Sequence, residues 1–418
     1  MGDKEMSEYY DPMLYLSAPG NANTMGCTVT LGEPIDGDIL AEAAELLRER
    51  FPYFYIRVEK TENDLVPIPN PLPLTVRNTW EPIVFHTEAS NYHLMAIKYE
   101  GKRLAVEILH GLTDGAGFLP YIKSLLFVYL SKKYHLSLDS TGFRLPGQEI
   151  PETESGNPFA HLNIDAAEAP LYQKKPVKDF YRINPGDRGE NHVFYVRLPE
   201  QEVMRYCREN DGSPNALMAV ILARAIRKAD PESEKTINIS IAVDHKAMLG
   251  NRDNYRQFAN VAEIDFPKGR ENEDIERMCT VTRGKLLLQA QPENSLWHIK
   301  SLKAMRQKLD MMPLQMKFDM LGKASGAARW TAAVSYTDNR SFGVLDPYIE
   351  EVYVLAQPTV IDAAIEIACV NHSFYLAFLQ NFPDDYLFKA FLDELAAAGI
   401  PYQLMRDEKL SLCDISWA

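Results

Sequence analysis

The stretch between about residues 140 and 190 limits the fold more than any other feature of this 418-residue sequence. Apolar periodicity fails there, and prolines interrupt a polar run that also contains several glycines. The prolines are Pro146, Pro151, Pro158, Pro170, Pro176 and Pro185. So long a segment is unusual inside one compact domain, so we expect it to wrap across the surface or to join two halves. We predict an N-terminal lobe at 1–165, a crossover linker at 166–190 and a C-terminal lobe at 191–418.

Both halves combine strand-like and helix-like segments. In the first half, apolar spacing predicts a helix over 37–50, and alternation predicts a strand in YFYIRVEK and a hairpin that turns around Gly101. In the second half, the pattern predicts strands in HVFYVRLP, INISIAVD, TAAVSYTD, EEVYVLAQ, AIEIACV and SFYLAFLQ. It predicts helices in EQEVMRYCREN, SPNALMAVILARAIRKA and PDDYLFKAFLDELAAAG, and over 271–289 and 296–321. The pattern predicts a mixed α/β (α+β) fold in two lobes.

The charge balance excludes some classes of partner. Lys and Arg number 44 and Asp and Glu number 58, which gives a net charge of −14. A broad phosphate-binding surface is therefore not expected, and nucleic acid is a poor candidate partner. A few basic side chains can still form a local positive mouth on an acidic protein, so an anionic coenzyme stays compatible with this composition.

The cysteines and the apolar runs bear on location. The five cysteines are scattered singly without CxxC spacing, which argues against a disulfide framework and a zinc site and predicts a reducing cytoplasm. The N-terminal residues show no signal-peptide pattern. The longest apolar stretch, at 217–226, contains Arg224 and is about half of the ~20 residues that span a bilayer. We therefore expect no membrane span.

The segment 104–118, which reads LAVEILHGLTDGAGF, holds the strongest candidate for chemistry. If it begins as a strand, His110 ends an apolar row, and Asp114 can fold back onto the following turn or toward His110. Gly115 and Gly117 remove side chains where another group approaches. An imidazole has an ordinary pKa of about 6.5 and can act as a general base near neutral pH. Without further context, a core histidine and a turn aspartate explain the pattern equally well.

Residues 110–115, HGLTDG, resemble the HxxxDG signature of the chloramphenicol acetyltransferase-like acyltransferases. These include condensation domains of nonribosomal peptide synthesis, plant BAHD acyltransferases and bacterial alcohol acetyltransferases. The longer form of the signature has a second histidine, where this chain has Leu109. Further similar segments are LLRERFPYFYIRV, SPNALMAVILARAI and IAVDHKAMLG, the last with Lys246 where Arg is common.

The resemblance implies two similar lobes with mixed sheets that meet at a channel, with His110 at its middle. A thioester donor, with acyl-CoA expected over a carrier protein, enters one side, and a small alcohol or amine enters the other. His110 deprotonates the acceptor, which attacks the thioester with no acyl-enzyme and no permanently bound cofactor. Asp114, followed by Gly115, shapes the loop through an ion pair for which Lys246 is a candidate partner. The alternatives are a standalone condensation-type domain that uses a carrier protein, and a non-catalytic binding or scaffold protein.

A second segment supplies candidate donors for an oxyanion. VSYTDNRSFG, at 334–343, resembles a late Ser-Asn-x-Gly stretch of the family, and alternation places Ser335 and Thr337 on one face. Either hydroxyl can donate to the oxyanion that attack on a thioester creates. The alternative is that the hydroxyls simply occupy a strand and Asp338-Asn339 a turn.

Other motifs fit less well. GLTDGAG lacks the spacing of a phosphate-binding loop, and GKASG at 322–326 lacks that of a serine nucleophile elbow. His110 and Asp114 have no third ligand at a convincing spacing, so we predict no metal site.

Overall fold

The computed structural model of the chain describes residues 12–159, 161–170, 172–184, 190–246, 249–256, 259–326, 330–337, 341–358 and 361–417. Its strands are β1 (Thr24–Leu31), β2 (Ile56–Lys60), β3 (Leu65–Pro69), β4 (Val76–Asn78), β5 (Val84–Phe85), β6 (Met95–Glu100), β7 (Arg103–Leu109), β8 (His192–Pro199), β9 (Ile237–Asp244), β10 (Ala259–Phe266), β11 (Ala332–Tyr336), β12 (Ile349–Ala356), β13 (Ala363–Val370), β14 (Ser373–Gln380), β15 (Gln403–Lys409) and β16 (Asp414–Ile415). Its α-helices are α1 (Gly37–Leu46), α2 (Gly115–Lys133), α3 (Glu152–Ser155), α4 (Glu200–Glu209), α5 (Pro214–Ala229), α6 (Ile275–Gln289), α7 (Pro292–Asp310), α8 (Leu314–Gly326) and α9 (Tyr386–Ala397).

The first sheet has five strands in the order β12-β1-β7-β6-β4. It is a mixed sheet, because β4 runs parallel to β6 while the other pairs are antiparallel. The β6–β7 hairpin turns at Gly101, whose φ of +57° suits a residue without a Cβ. Val29 of β1 and Val106 of β7 share a buried cluster with Leu40 of α1 and Leu125 of α2. This core fixes the end of β7, where the candidate motif begins.

The second sheet has seven strands in the order β10-β9-β11-β13-β14-β8-β15. It is also mixed, with β11 parallel to both β9 and β13. One face is strongly apolar and packs against helices: Ile239, Ile365 and Phe378 share a buried cluster with Leu217 of α5 and Phe391 of α9. The helices of the C-terminal half therefore cover this face.

The opposite face of the second sheet, which we call the inner face, carries small side chains near its centre. Alternation along β11, β13 and β14 places on it Ala333, Ser335, Ala364, Glu366, Ala368 and Ala377. Ala364, Ala368 and Ala377 belong to the buried cluster that contains the core of the first sheet. The inner face is thus turned toward the N-terminal half.

Two segments late in the sequence lie with the N-terminal half in space. Strand β12 pairs antiparallel with β1. Near the C-terminus, the backbone N–H of Cys413 donates to Glu107 Oε2 at 2.6 Å, and Trp417 Nε1 donates to the carbonyl oxygen of Ser17 at 2.8 Å. The boundaries 1–165, 166–190 and 191–418 stay a prediction. The first sheet contains strands from both predicted lobes, because β12 pairs with β1.

The prediction of a mixed α/β fold with mixed sheets is confirmed. The single helix predicted over 296–321 is wrong, because α7 ends at Asp310 and α8 begins at Leu314. Pro313 separates them, since proline has no backbone N–H and restricts the residue before it. The helix predicted over 37–50 ends earlier, at Leu46. None of the helices in the described part of the chain is both long and apolar enough to cross a bilayer.

Candidate active site

His110 lies directly after β7, at the start of a turn that leads into α2. Its backbone N–H donates to the carbonyl oxygen of Asn23 at 2.9 Å, which continues the pairing of β7 with β1. At Gly111, an added Cβ would stand 2.9 Å from the backbone nitrogen of Leu14, in the short helix Pro12–Leu16. The turn therefore needs glycine because another backbone approaches it closely.

The ring of His110 is partly buried and oriented by its own turn. Its Nδ1 lies 3.0 Å from the carbonyl oxygen of Thr113. Because a carbonyl oxygen can only accept, Nδ1 carries the proton in the neutral ring, and Nε2 has the free lone pair. This tautomer has an unprotonated nitrogen that can take a proton from another molecule.

Asp114 is buried, with 2% of its surface exposed, and it caps α2. Its Oδ1 accepts a hydrogen bond from the backbone N–H of Gly117 at 2.8 Å and another from Lys246 Nζ at 2.5 Å. Lys246 is equally buried and follows β9 in the second sheet. The structure thus places the predicted ion-pair partner beside Asp114, and the pair joins the two halves of the chain.

A loop of the C-terminal half also holds the motif. Thr113 Oγ1 donates to the carbonyl oxygen of Tyr255 at 2.5 Å. A Cβ on Gly117 would stand 2.0 Å from the same oxygen, so a side chain cannot fit there. The Tyr255 ring stacks on that of Tyr53, with centroids 3.8 Å apart. The first turn of α2 is consequently clamped from the opposite half.

The residues that hold Tyr255 were missed by the sequence analysis. Its backbone N–H donates to the carbonyl oxygen of Glu154 at 3.3 Å. The buried carboxylate of Glu154 receives two hydrogen bonds from Arg50, at 2.6 and 2.8 Å, and one from the hydroxyl of Tyr53. Glu154 lies in the proline-interrupted stretch, where the sequence has no periodic pattern that points to a buried ion pair.

Thr337 reaches the motif from the end of β11. Its Oγ1 lies 3.3 Å from the point where a Cβ on Gly115 would stand. Its backbone N–H donates to the carbonyl oxygen of Ile367 at 3.0 Å, which continues the pairing of β11 with β13 beyond Tyr336. The structure therefore brings Thr337 together with Gly115, Asp114 and Lys246 next to the turn of His110.

Ser335 lies two residues earlier on the same face and has a different neighbour. It stands opposite Glu366 of β13 and hydrogen-bonds to its carboxyl. Burial raises the pKa of Glu366 to about 7, an effect that the Ser335 hydrogen bond opposes. Glu366 was missed, although a charged residue inside the apolar run AAIEIACV is a signal that could have found it. The predicted turn at Asp338-Asn339 lies outside the described residues.

Leu109, in place of the first histidine of the longer signature, is fully buried in the core of the first sheet. Among the residues that the structure describes, no group of three or more His, Cys, Asp or Glu side chains is placed to hold a metal ion. The polar groups that the structure places around the motif include the imidazole of His110, the hydroxyls of Thr337 and Ser335, and the carboxyl of Glu366.

Comparison with solved structures identifies the fold. Polyketide synthase associated protein 5 from Mycobacterium tuberculosis superposes with a TM-score of 0.63 at 15% identity, over 94% of this chain and 98% of that one. The condensation domain of the monacolin K polyketide synthase MokA superposes with a TM-score of 0.57 at 12% identity, over 92% and 93%. The chain has the chloramphenicol acetyltransferase-like fold.

A third neighbour with this fold is TRI101 from F. sporotrichioides, in complex with coenzyme A and T-2, with a TM-score of 0.58 at 10% identity over 95% of this chain and 99% of that one. No protein-family model and no curated protein matches the sequence. At these identities the neighbours establish the chloramphenicol acetyltransferase-like fold, and the chemistry has to be argued from the side chains.

Proposed function

We propose that this protein is an acyltransferase that moves an acyl group from a thioester to an alcohol or amine, with His110 as the general base. The observation that carries the proposal is the hydrogen bond from His110 Nδ1 to the carbonyl oxygen of Thr113 at 3.0 Å. It leaves Nε2 unprotonated, as a base for an acceptor requires. The two-lobed fold, shared with a coenzyme A-complexed neighbour, supports acyl-CoA as the donor.

The proposed reaction needs one base and no acyl-enzyme. The acceptor O–H or N–H gives its proton to His110 Nε2 while the acceptor atom attacks the thioester carbonyl. The resulting tetrahedral oxyanion collapses, the C–S bond breaks, and the leaving thiolate takes the proton back from the imidazolium. His110 thus acts first as a base and then as an acid, and the ring ends in its starting tautomer.

The donor to the oxyanion is proposed to be Thr337 rather than Ser335. Thr337 Oγ1 is beside Gly115, at the turn that carries His110, whereas the Ser335 hydroxyl is engaged with Glu366. A well-placed hydroxyl stabilises the developing negative charge, and loss of one such donor costs ~10²–10³-fold in kcat.

The test is release of free thiol from acetyl-CoA in the presence of a panel of alcohols and amines. We expect His110→Ala and His110→Asn to lose activity by ~10²–10⁴-fold, because removal of a general base has that effect. Asn can still donate to the Thr113 carbonyl, so a folded and inactive His110→Asn assigns the loss to the missing base. The matched control is His372→Asn, on a hairpin where the histidine side chain is 99% exposed. Wild-type turnover in both His110 variants would remove His110 from the mechanism.

A carrier-protein donor is the second candidate, because a neighbour of similar coverage is a condensation domain. The same assay with the acyl group on a phosphopantetheinyl carrier protein separates the donors. Transfer from the carrier but not from free acyl-CoA would favour a condensation-type role. No thiol release from either donor would favour a binding or scaffold protein with this fold.

A further inference from the structure

Glu366 interrupts an otherwise apolar strand and lies on the inner face. Its neighbours Ile365 and Ile367 belong to the core under α5 and α9. Successive side chains of a strand point to opposite faces, so Glu366 shares the inner face with Ala364 and Ala368. About a tenth of its surface, 9%, stays accessible. The residue is therefore mostly buried between the two halves, with a small part of its surface still accessible.

The surroundings of Glu366 supply a hydroxyl and no cation. On β11 it faces Ser335, which hydrogen-bonds to it, and on β14 it faces Ala377. Within the described ranges, no Lys, Arg or His forms an ion pair with this carboxyl. A buried carboxylate is costly unless a positive group accompanies it. The inner face thus presents a carboxyl that lacks a counter-charge from this chain's described residues.

Glu366 lies close to the proposed reaction centre. Strand spacing of about 4.8 Å and a rise of about 3.3 Å per residue place it about 8 Å from Thr337, diagonally across the β11–β13 pair. Thr337 in turn touches the position of Gly115 in the first turn of α2. Around Glu366 the inner face carries alanines, at 333, 364, 368 and 377, whose side chains are small. The distance to Thr337 is short enough for one extended substrate to contact both His110 and the carboxyl.

We propose that Glu366 and Ser335 form a subsite for a cationic group, so that the enzyme prefers acceptor alcohols that carry a protonated amine. The inference rests on the acyl-transfer function proposed above and names its acceptor class. The ammonium group supplies the missing counter-charge and donates a charge-assisted hydrogen bond to the carboxylate. A neutral acceptor of the same shape leaves the carboxyl without a counter-charge, and the net charge of −14 further favours cations.

The test uses acceptor pairs that differ only in charge. 3-(Dimethylamino)-1-propanol and 4-methyl-1-pentanol have the same shape, and the tertiary amine cannot itself be acylated to a stable amide. The pair is extended by one to three methylenes to match the distance between His110 and Glu366. For the best-fitting length, we expect kcat/KM to favour the amine by ~10–100-fold, the usual contribution of a hydrogen bond to a charged group. A wild-type enzyme that favours the neutral alcohol at every length overturns the inference.

The variant Glu366→Gln tests the residue, because the amide keeps the volume and the Ser335 contact but removes the charge. We expect the amine-to-neutral ratio to fall to about one. The control Asp393→Asn removes a charge from a side chain that is 65% exposed on α9, and it should keep the wild-type ratio. If Glu366→Gln keeps the wild-type ratio, Glu366 does not bind the cation.

Two further measurements complete the test: the first needs no variant, and the second needs no turnover. First, in the wild type the ratio should rise from about pH 6 to about pH 8, as Glu366 ionises. Its cross-strand neighbours Ser335 and Ala377 carry no group that titrates in this range, and any effect of pH on the transfer step itself is common to the two alcohols. A ratio that does not change with pH contradicts the subsite. Second, calorimetric binding of the amino alcohol without a thioester should be lost in Glu366→Gln. If the amino alcohol binds in this way but no acyl transfer occurs, the proposed function is refuted and the cation subsite stands. If acyl transfer occurs without a preference for the charged alcohol, the subsite is refuted and the proposed function stands.

Discussion

Asp114 and Glu366 are two buried carboxyls on either side of the proposed reaction centre, and they differ in what accompanies their charge. Asp114 receives Lys246 Nζ at 2.5 Å and the backbone N–H of Gly117 at 2.8 Å. Glu366 has the hydroxyl of Ser335 and, among the described residues, no cation. The first carboxylate is paired with a cation of the protein, and the second has none among the residues that the structure describes.

The difference separates structural from functional use of a buried charge. The Asp114 carboxylate already has a cation and a backbone N–H as partners, and through them it joins the end of β9 in the second sheet to the first turn of α2. A carboxyl without a counter-charge is costly to ionise, so it keeps its capacity for a cation that arrives later. The predictions below test this contrast.

The largest effect is expected when the pair of Asp114 is broken. Asp114→Ala leaves Lys246 buried and unpaired, which costs about 3–5 kcal/mol, and it removes a helix cap worth about 1 kcal/mol. We expect a free energy of unfolding lower by about 4 kcal/mol or more, measured by denaturant titration, together with a loss of acyl transfer because the turn of His110 loses its support.

Asp114→Asn is the graded companion of that variant. Its amide oxygen can still accept from the Gly117 N–H, so we expect it to keep the cap and to lose only the charge, with a smaller decrease in both stability and activity. The control is Asp393→Asn on the surface of α9, which should change the free energy of unfolding by less than about 0.5 kcal/mol. Full stability in Asp114→Ala would show that the Lys246 pair does not join the halves.

A smaller effect, which depends on pH, is expected at Glu366. Its pKa in the folded protein is raised from 4.5 to about 7, so the folded state binds a proton that the unfolded state releases between these values. Its contribution to stability is therefore full below about pH 4.5 and is lost as pH rises through about 7. Relative to Glu366→Gln, the wild type should lose about 2–3 kcal/mol of unfolding free energy between about pH 5 and about pH 8. Parallel stability curves for the two proteins would show that Glu366 is ionised or solvated throughout.

The sequence predicts much of the local structure because local structure follows local patterns. The strands HVFYVRLP and INISIAVD match β8 and β9 from end to end, since their alternation and flanking residues define both limits. The hairpin around Gly101 follows in the same way from turn chemistry. The motif at 110–115 also marks the region where the structure gathers polar side chains.

What the sequence does not predict depends on contacts between distant residues. Strand β12 has a clear strand pattern, but nothing in that pattern tells which sheet it joins, and it pairs with β1 more than 300 residues earlier. Tyr255 and Glu154 hold the candidate site through backbone groups, which every residue has, so no residue type marks them. The role of Thr337 rather than Ser335 follows from a neighbour, Gly115, that only the folded chain provides.

The smallest expected effect concerns Gly115, which lies where the surroundings of the two carboxyls meet. It begins α2 directly after Asp114. A Cβ there would stand 3.3 Å from Oγ1 of Thr337, which lies two residues after Ser335, the neighbour of Glu366. Alanine is the better helix former by about 1 kcal/mol, which offsets this close contact, so we expect Gly115→Ala to keep nearly the wild-type stability. The Thr337 hydroxyl must move by a few tenths of an ångström, and kcat should fall by about tenfold or less, because misplacement of 1 Å costs about a hundredfold. Thr337→Val, which removes the hydroxyl, should lower kcat further and make the alanine at 115 inconsequential in the double variant. If the losses in kcat of the two single variants instead multiply in the double variant, the substitution at Gly115 does not act through Thr337. The surroundings of Asp114 and of Glu366 would then affect kcat separately.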